Sequence, residues 1–277
     1  MPQLVPLWEE LSERAGAGEE AARMLSLVDP PPYLAGCSQA IWTRGDPILV
    51  RNYDYRPVAF EGAVVLTRWH ETAVMAVSDC LWGVLDGVNE HGLTTALAFG
   101  GSRLRGTGFG IPLILRYVLE FCRTVAEAVE VLKRVPSHMA YNVSLLDAQG
   151  EFTTVYLAPQ RKPRIAREPV ATNHQVDIEW SAYAGVTQSK ERHRFLTEKL
   201  AKGRSAKNFV GRFLEPPLYA NDHAKGYGTL YTVAYRPREG SAEFLWPGSR
   251  VEQSIDRFVE TELTVEFPSG VAEEGLR

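Results

Sequence analysis

Apolar positions along the chain follow two different periods, and the switch between them divides the sequence. Over positions 1 to 29 the spacing is weakly helical. Leu4, Leu7, Trp8 and Leu11 fall on one face, and Glu19 to Leu27 reads as a second short helix after Gly16 and Gly18. Pro30-Pro31-Pro32 ends any helix and forces an extended approach to Gly36, because proline lacks an N–H and restricts its predecessor. From Cys37 onward the pattern is that of strands. Ser38 to Thr43 and Pro47 to Tyr53 flank the turn Arg44-Gly45-Asp46. Ala63 to Trp69 and Ala73 to Val77 form a second pair. Leu81 to Leu85 leads into Asp86-Gly87, and Asn89-Glu90-His91-Gly92 turns the chain into Leu93 to Phe99.

A glycine-rich loop from Gly100 to Gly110 precedes two helices. Ile111, Ile114 or Leu115, Val118, Cys122 and Val125 repeat at helical spacing, with Pro112 suited to a first turn. Thr124-Val125-Ala126-Glu127 is a capping-box pattern that predicts a second helix to about Arg134. Strands return at Tyr141 to Leu146 and Phe152 to Leu157, joined by Asp147-Ala148-Gln149-Gly150, and a short one is expected over Pro169 to Asn173. Ser189 is expected to cap a helix to about Lys202, with another over Ala206 to Leu214. Thr229 to Tyr235, Glu243 to Trp246 and Leu263 to Phe267 close the series as strands. Strand clusters alternating with helix pairs suit two packed sheets covered by helices on both outer faces, an α+β fold. The triple proline separates a helical leader, 1–36, from a strand-rich body, 37–277.

Composition narrows the class. Of 277 residues 45% are hydrophobic and the net charge is −4, with acidic and basic residues interleaved. That is ordinary for a packed chain and gives nucleic acid no basic stripe to meet. No apolar stretch approaches the roughly 18 residues of a membrane helix, and the leader lacks the basic and apolar regions of a secretory signal. Three cysteines do not make a disulfide framework in a chain of this size. The expectation is a soluble cytoplasmic protein without a membrane partner; a homo-oligomer is allowed.

Few residues invite chemistry. Cys80 and Cys122 read as buried small hydrophobes. Cys37 differs by context, standing directly after a glycine at the head of the first strand. A cysteine at a chain start carries its own base, an α-amine of pKa about 7.7–8.0 that can take the thiol proton. Gly36 offers backbone freedom for an attack on its own carbonyl. Arg51 and Asp54 end the next strand, where an arginine would favour thiolate and a carboxylate would hold the amine. Asn173 closes a short strand and could donate to an oxyanion. Arg192 lies one turn into a helix and by itself reads as a solvated charge. The six histidines show no metal-binding spacing, and the glycines match no nucleotide-binding pattern, so neither metal nor cofactor is expected.

Together, Gly36-Cys37-Ser38, Arg51-Asn52-Tyr53-Asp54, the block Asp86 to Leu93, Phe99-Gly100-Gly101, Ala171-Thr172-Asn173-His174 and Ser189-Lys190-Glu191-Arg192 resemble the Ntn-hydrolase superfamily. The resemblance is to its autoproteolytic group around isopenicillin N acyltransferase (peptidase family C45), with choloylglycine hydrolase and acid ceramidase more distant. It implies an αββα four-layer sandwich of two stacked, mostly antiparallel sheets. It also implies self-cleavage between Gly36 and Cys37, Cys37 as nucleophile, flanking Arg51 and Asp54, oxyanion Asn173 and supporting Arg192. Asp86 to Leu93 is expected to be structural. Bile-salt hydrolases carry an oxyanion asparagine just before an aromatic; here Ala98 precedes Phe99, which shifts the second donor to backbone N–H near Gly100-Gly101. The implied activity is that of an amidase or acyltransferase acting on a small-molecule, linear amide through a thioester. Trp42, Tyr55, Trp82 and Phe99 are candidates for the acyl pocket. The rivals are an uncleaved binding or scaffold protein of the same fold and a papain-like thiol hydrolase pairing Cys37 with His174.

Overall fold

A computed structural model describes residues 1–16, 18–176 and 180–267. Two antiparallel sheets lie face to face. The first has the order β10-β1-β2-β11-β12-β13, from Val170–Ala171, Gly36–Trp42, Ile48–Tyr55, Gly228–Arg236, Ser241–Trp246 and Ser249–Ser254. The second runs β3 to β9 in chain order: Val64–Thr67, Val74–Asp79, Gly83–Asn89, Thr94–Phe99, Tyr141–Leu146, Phe152–Leu157 and Arg164–Ala166. Helices α3 (Ile111–Phe121) and α4 (Val125–Arg134) pack on the outer face of the second sheet, α6 (Ser189–Lys202) and α7 (Ala206–Gly211) on that of the first. The four layers are the αββα arrangement expected.

Strand parity decides what lies in each layer. On β1, Cys37 and Ile41 enter the large core between the sheets, while Ala40 and Trp42 join a second core with Phe209, Phe213 and Leu196 beneath the helices. Helix α4 follows its sequence signal. Thr124 caps α4, its hydroxyl accepting from Glu127 N–H at 3.3 Å.

The leader folds onto the body. Helices α1 (Val5–Arg14) and α2 (Glu19–Ser26) are tied by Trp8 Nε1 donating to Ala22 O at 2.8 Å. Trp82 Nε1 donates to Leu25 O at 2.9 Å, and Gly110 N–H to Leu27 O at 2.7 Å.

Several expectations fail for identifiable reasons. Leu263 to Phe267 is not a strand: Leu263, Val265 and Phe267 alternate, but they line a cavity of about 330 Å³ with Phe60, Tyr231 and Phe244 instead of pairing their backbone. The edge strand is Ser249–Ser254, whose polar sequence hid it. Ser189 is not a cap. Gln188, in the left-handed conformation, precedes the helix, and Ser189 lies buried inside it with its hydroxyl on Thr172. Asp86-Gly87 is the interior of β5, not a strand end. The six-residue helix α5 (Ser181–Val186) was too short to show a period.

Candidate active site

The five residues singled out around the thiol converge. β1 pairs with β2 so that Gly36 faces Asp54 and Cys37 faces Tyr53. Parity then sends Arg51 and Asp54 to opposite faces of β2; Arg51 reaches the sulfur, whereas Asp54 bonds Arg192 and Thr229, and the Cys37 N–H goes to Asn173 and not to the carboxylate expected to hold it. Arg51 reaches into the inter-sheet core, where Nη2 donates to Cys37 Sγ at 3.2 Å. Its Nε donates to Leu97 O at 3.1 Å, and Nη1 donates to Tyr231 Oη at 2.8 Å and to Asp86. Asp86 also accepts from Tyr231 Oη at 2.6 Å and Tyr235 Oη at 2.5 Å. Arg51 thus links the two sheets and holds the sulfur at once.

The backbone of Cys37 is held from the helix side. Its N–H donates to Asn173 Oδ1 at 2.8 Å. Its carbonyl accepts from Arg192 Nη1 at 2.8 Å; the same nitrogen lies 2.9 Å from Ser38 Oγ and 3.2 Å from Asp54 Oδ2. Arg192 Nη2 donates to Asn173 Oδ1 at 2.7 Å. Asn173 Nδ2 donates to Ala35 O at 2.9 Å and Phe99 O at 3.2 Å, so the amide clasps the chain on both sides of the Gly36–Cys37 bond. Thr229 Oγ1 donates to Asp54 Oδ1 at 2.6 Å. Arg192, which local sequence reads as a surface charge, is buried and makes the most bonds in this half of the site.

Gly36 is needed for space. Its φ lies outside the left-handed region, but a Cβ there would stand 2.0 Å from Tyr227 Oη and 3.0 Å from Asp54 Cβ. The expectation that glycine serves backbone freedom is therefore replaced by one of close approach.

Burial dominates the electrostatics. It pushes the Cys37 thiol up, with Arg51 the first charge opposing it, and pushes Asp54 up against the pull of Arg192 and Thr229. In the continuous chain the sulfur is held as a neutral thiol. Asp79, at the end of β4, is pushed up to about 6 by burial and then by the charge of Glu61; the nearby Tyr33 hydroxyl acts the other way. Tyr33 belongs to the leader. Its hydroxyl lies 2.5 Å from Tyr53 Oη, its ring centroid 5.6 Å from Tyr55, and its carbonyl accepts from Tyr141 Oη at 3.2 Å.

The pocket candidates separate. Phe99 is buried beside the site, its carbonyl on Asn173 and its ring perpendicular to Tyr183 at 5.1 Å. Tyr55 is half-buried against Tyr33. Trp42 is not with them: it lies on the far face of β1, packed on Phe209 at 5.5 Å. Trp82 holds the leader helix through Leu25. His174 Nδ1 lies 2.8 Å from Ser189 Oγ, and the sulfur's hydrogen-bond partner is Arg51, so the papain-like pairing has no geometric support. Sequence reading missed Tyr231, Tyr235 and Thr229; Asp86, expected to be structural, is the carboxylate that anchors Arg51. Among the described residues no group of three or more His, Cys, Asp or Glu side chains could hold a metal ion. No helix there is long and apolar enough to cross a membrane.

The family model for acyl-coenzyme A:6-aminopenicillanic acid acyl-transferase matches residues 42–250. The chain belongs to that family. It is thereby a member of the Ntn-hydrolase superfamily, and the match, beginning at 42, takes in Arg51, Asp54, Asn173 and Arg192 but leaves out Cys37. No curated protein sequence matches the chain. Among solved structures, penicillin V acylase from Agrobacterium tumefaciens superposes with a TM-score of 0.56 at 17% identity, over 80% of this chain and 87% of that one. A mutant conjugated bile acid hydrolase from Clostridium perfringens gives 0.55 at 14%, over 87% and 100%. The N-acylethanolamine-hydrolyzing acid amidase ortholog of Caenorhabditis elegans gives 0.54 at 17%, over 73% and 93%. At such identities the likeness is one of fold. Family membership makes this acyltransferase-family chain an enzyme of amide or acyl-transfer chemistry.

Proposed function

We infer that this chain is a cysteine-nucleophile amidase or acyltransferase that activates itself by breaking the Gly36–Cys37 bond. The observation that carries the reading is the clasp around Cys37: Arg51 on the sulfur at 3.2 Å, Asn173 on the N–H at 2.8 Å and Arg192 on the carbonyl at 2.8 Å, all buried. A packing cysteine needs none of these.

In maturation Sγ adds to the Gly36 carbonyl, the C–N bond breaks, and the proton lost by sulfur ends on the Cys37 nitrogen. Water then splits the Gly36 thioester, giving a leader carboxylate and a free thiol. The new α-amine, held by Asn173 Oδ1, takes the thiol proton in each later turnover and returns it to the leaving amine. With Ala35 gone, one Asn173 Nδ2 hydrogen is released from its acceptor and faces the carbonyl oxygen of an incoming amide. Arg192 holds the Cys37 carbonyl and, through Asn173 Oδ1, steadies the amine end; Asp54 anchors Arg192, and Arg51 steadies the sulfur as it gains charge.

Intact mass of the purified protein beside its Cys37→Ala variant tests the reading. Loss of residues 1–36 in the wild type alone, with turnover of simple N-acyl amides, supports it. An uncleaved wild type whose Cys37 resists thiol reagents after mild unfolding pressure is lifted, and which turns over no amide, is the scaffold alternative.

A further inference from the structure

The sulfur that would attack Gly36 is the sulfur that would attack substrate. The two thioesters share the Sγ–C bond, so the space beyond the carbonyl that now holds leader residues 33–36 passes to the acyl group once the leader leaves. The leader is therefore an imprint of the acyl subsite. At the first carbon the imprint is narrow. A substituent on Gly36 Cα in the L sense would meet Tyr227 Oη at 2.0 Å, Asp54 Cβ at 3.0 Å and Asp54 Oδ2 at 3.2 Å. Further out it is aromatic and polar. The Tyr33 ring is half-buried against Tyr55 at 5.6 Å, and its hydroxyl ends 2.5 Å from Tyr53 Oη, close to the Asp79 carboxyl.

Departure of the leader leaves Tyr53 Oη and Tyr141 Oη without the partners they have at 2.5 and 3.2 Å. The Tyr53 hydroxyl then faces the place of the Tyr33 hydroxyl, near the Asp79 carboxyl, and the Tyr141 hydroxyl faces the place of the Tyr33 carbonyl. A plain hydrocarbon entering this space leaves Tyr53 Oη unpaired, which is costly where little water reaches; an aromatic ring carrying a hydroxyl at its far end satisfies it. We propose that the mature enzyme takes amides of α-unbranched aryl-alkanoic acids whose ring bears a distal hydroxyl, read by Tyr53 and Asp79 in the cavity Tyr33 fills before cleavage. The proposal rests on the self-cleavage reading above.

The test uses the matured wild-type protein and four 4-nitroanilides: those of 3-(4-hydroxyphenyl)propanoic, 3-phenylpropanoic, 2-methyl-3-(4-hydroxyphenyl)propanoic and octanoic acids. The first is expected to exceed the second in kcat/KM by about 10- to 100-fold, because the site is built to bond the hydroxyl. The α-methyl acid, in the L sense, is expected to fall at least about tenfold below its parent. Tyr53→Phe is expected to erase most of the hydroxyl preference by lowering turnover of the hydroxylated substrate alone. The free tetrapeptide Tyr-Leu-Ala-Gly, the leader's own C-terminal product, should inhibit the wild type at least about tenfold better than Phe-Leu-Ala-Gly, a comparison that needs no variant to fold. Octanoyl anilide as the best substrate, or equal inhibition by the two peptides, overturns the imprint while cleavage and turnover leave the amidase reading intact. An uncleaved protein that turns over none of the four overturns both.

Discussion

Replacing Gly36 by alanine tests the geometry before the bond proposed to cleave more sharply than removing the thiol does, because every group assigned to the reaction stays. The added methyl would begin 2.0 Å from Tyr227 Oη and 3.0 Å from Asp54 Cβ. Nonbonded heavy atoms settle at about 3.5–4.0 Å, so the phenol or strand β1 has to yield by roughly 1 Å or more. Overpacking of that kind costs about 1–3 kcal/mol of stability, which a chain with two packed cores survives. Its effect on chemistry is larger: a displacement of about 1 Å at a reacting centre is worth about 10²-fold in rate. Gly36→Ala should therefore fold and cleave about 100-fold more slowly. Tyr227→Phe in the same chain, which removes the atom in closest conflict, should recover at least about tenfold of that loss while the Asp54 contact keeps it below wild type. The assay is cell-free synthesis with a labelling pulse, the cleaved fraction followed by intact mass and the fold checked by thermal melting. Wild-type cleavage in Gly36→Ala, or a double variant no faster than the single one, would refute the reasoning.

Other outcomes follow from the same contacts. Asn173→Ala, introduced so that any cleaved fraction can be isolated, should lower amide turnover by about 10²–10³ in kcat, read as anilide release; unchanged kcat removes Asn173 from the oxyanion role. Asp86→Ala leaves the Arg51 guanidinium buried without its carboxylate and should destabilise the fold by about 3–5 kcal/mol in urea unfolding, far more than a surface carboxylate would. Asp79 makes stability pH-dependent in the uncleaved Cys37→Ala chain. Its folded pKa, pushed up to about 6 from 3.8, lies above the unfolded value. Its contribution is thus full below about pH 4, is lost as pH rises through about 6, and amounts to at most about 3 kcal/mol. Urea unfolding between those values should show the fall, and Asp79→Asn should flatten it; an unchanged slope in that variant would reassign the effect.

Much of this site was legible because it is local. The hairpin that sets Gly36 opposite Asp54 and Cys37 opposite Tyr53 is written in two apolar runs and an Arg-Gly-Asp turn, and the family motifs fall on it in order. Period-2 alternation along the same strand already separates Cys37 from Trp42, five positions on, and would have removed Trp42 from the acyl pocket. What stayed hidden depends on contacts across the sandwich. Nothing near Asp86 signals that it will accept from Arg51, Tyr231 and Tyr235 on the facing sheet. Leu263, Val265 and Phe267 alternate as a strand would, yet they line a cavity with Leu263 exposed and the other two half-buried, because alternation reports a shared side and not a hydrogen-bonded neighbour.

Arg51 has one guanidinium for two duties, bracing β2 against β5 and β6 and standing beside the Cys37 sulfur. Under the role proposed for that sulfur, its reactivity and the mechanical integrity of the sandwich are inseparable. A substitution meant to retune the thiol also slackens the joint between the two halves of the sandwich, so natural variation in acidity is expected to enter through Asp54, Thr229 or Arg192, on the other side of the strand, where the joint is untouched.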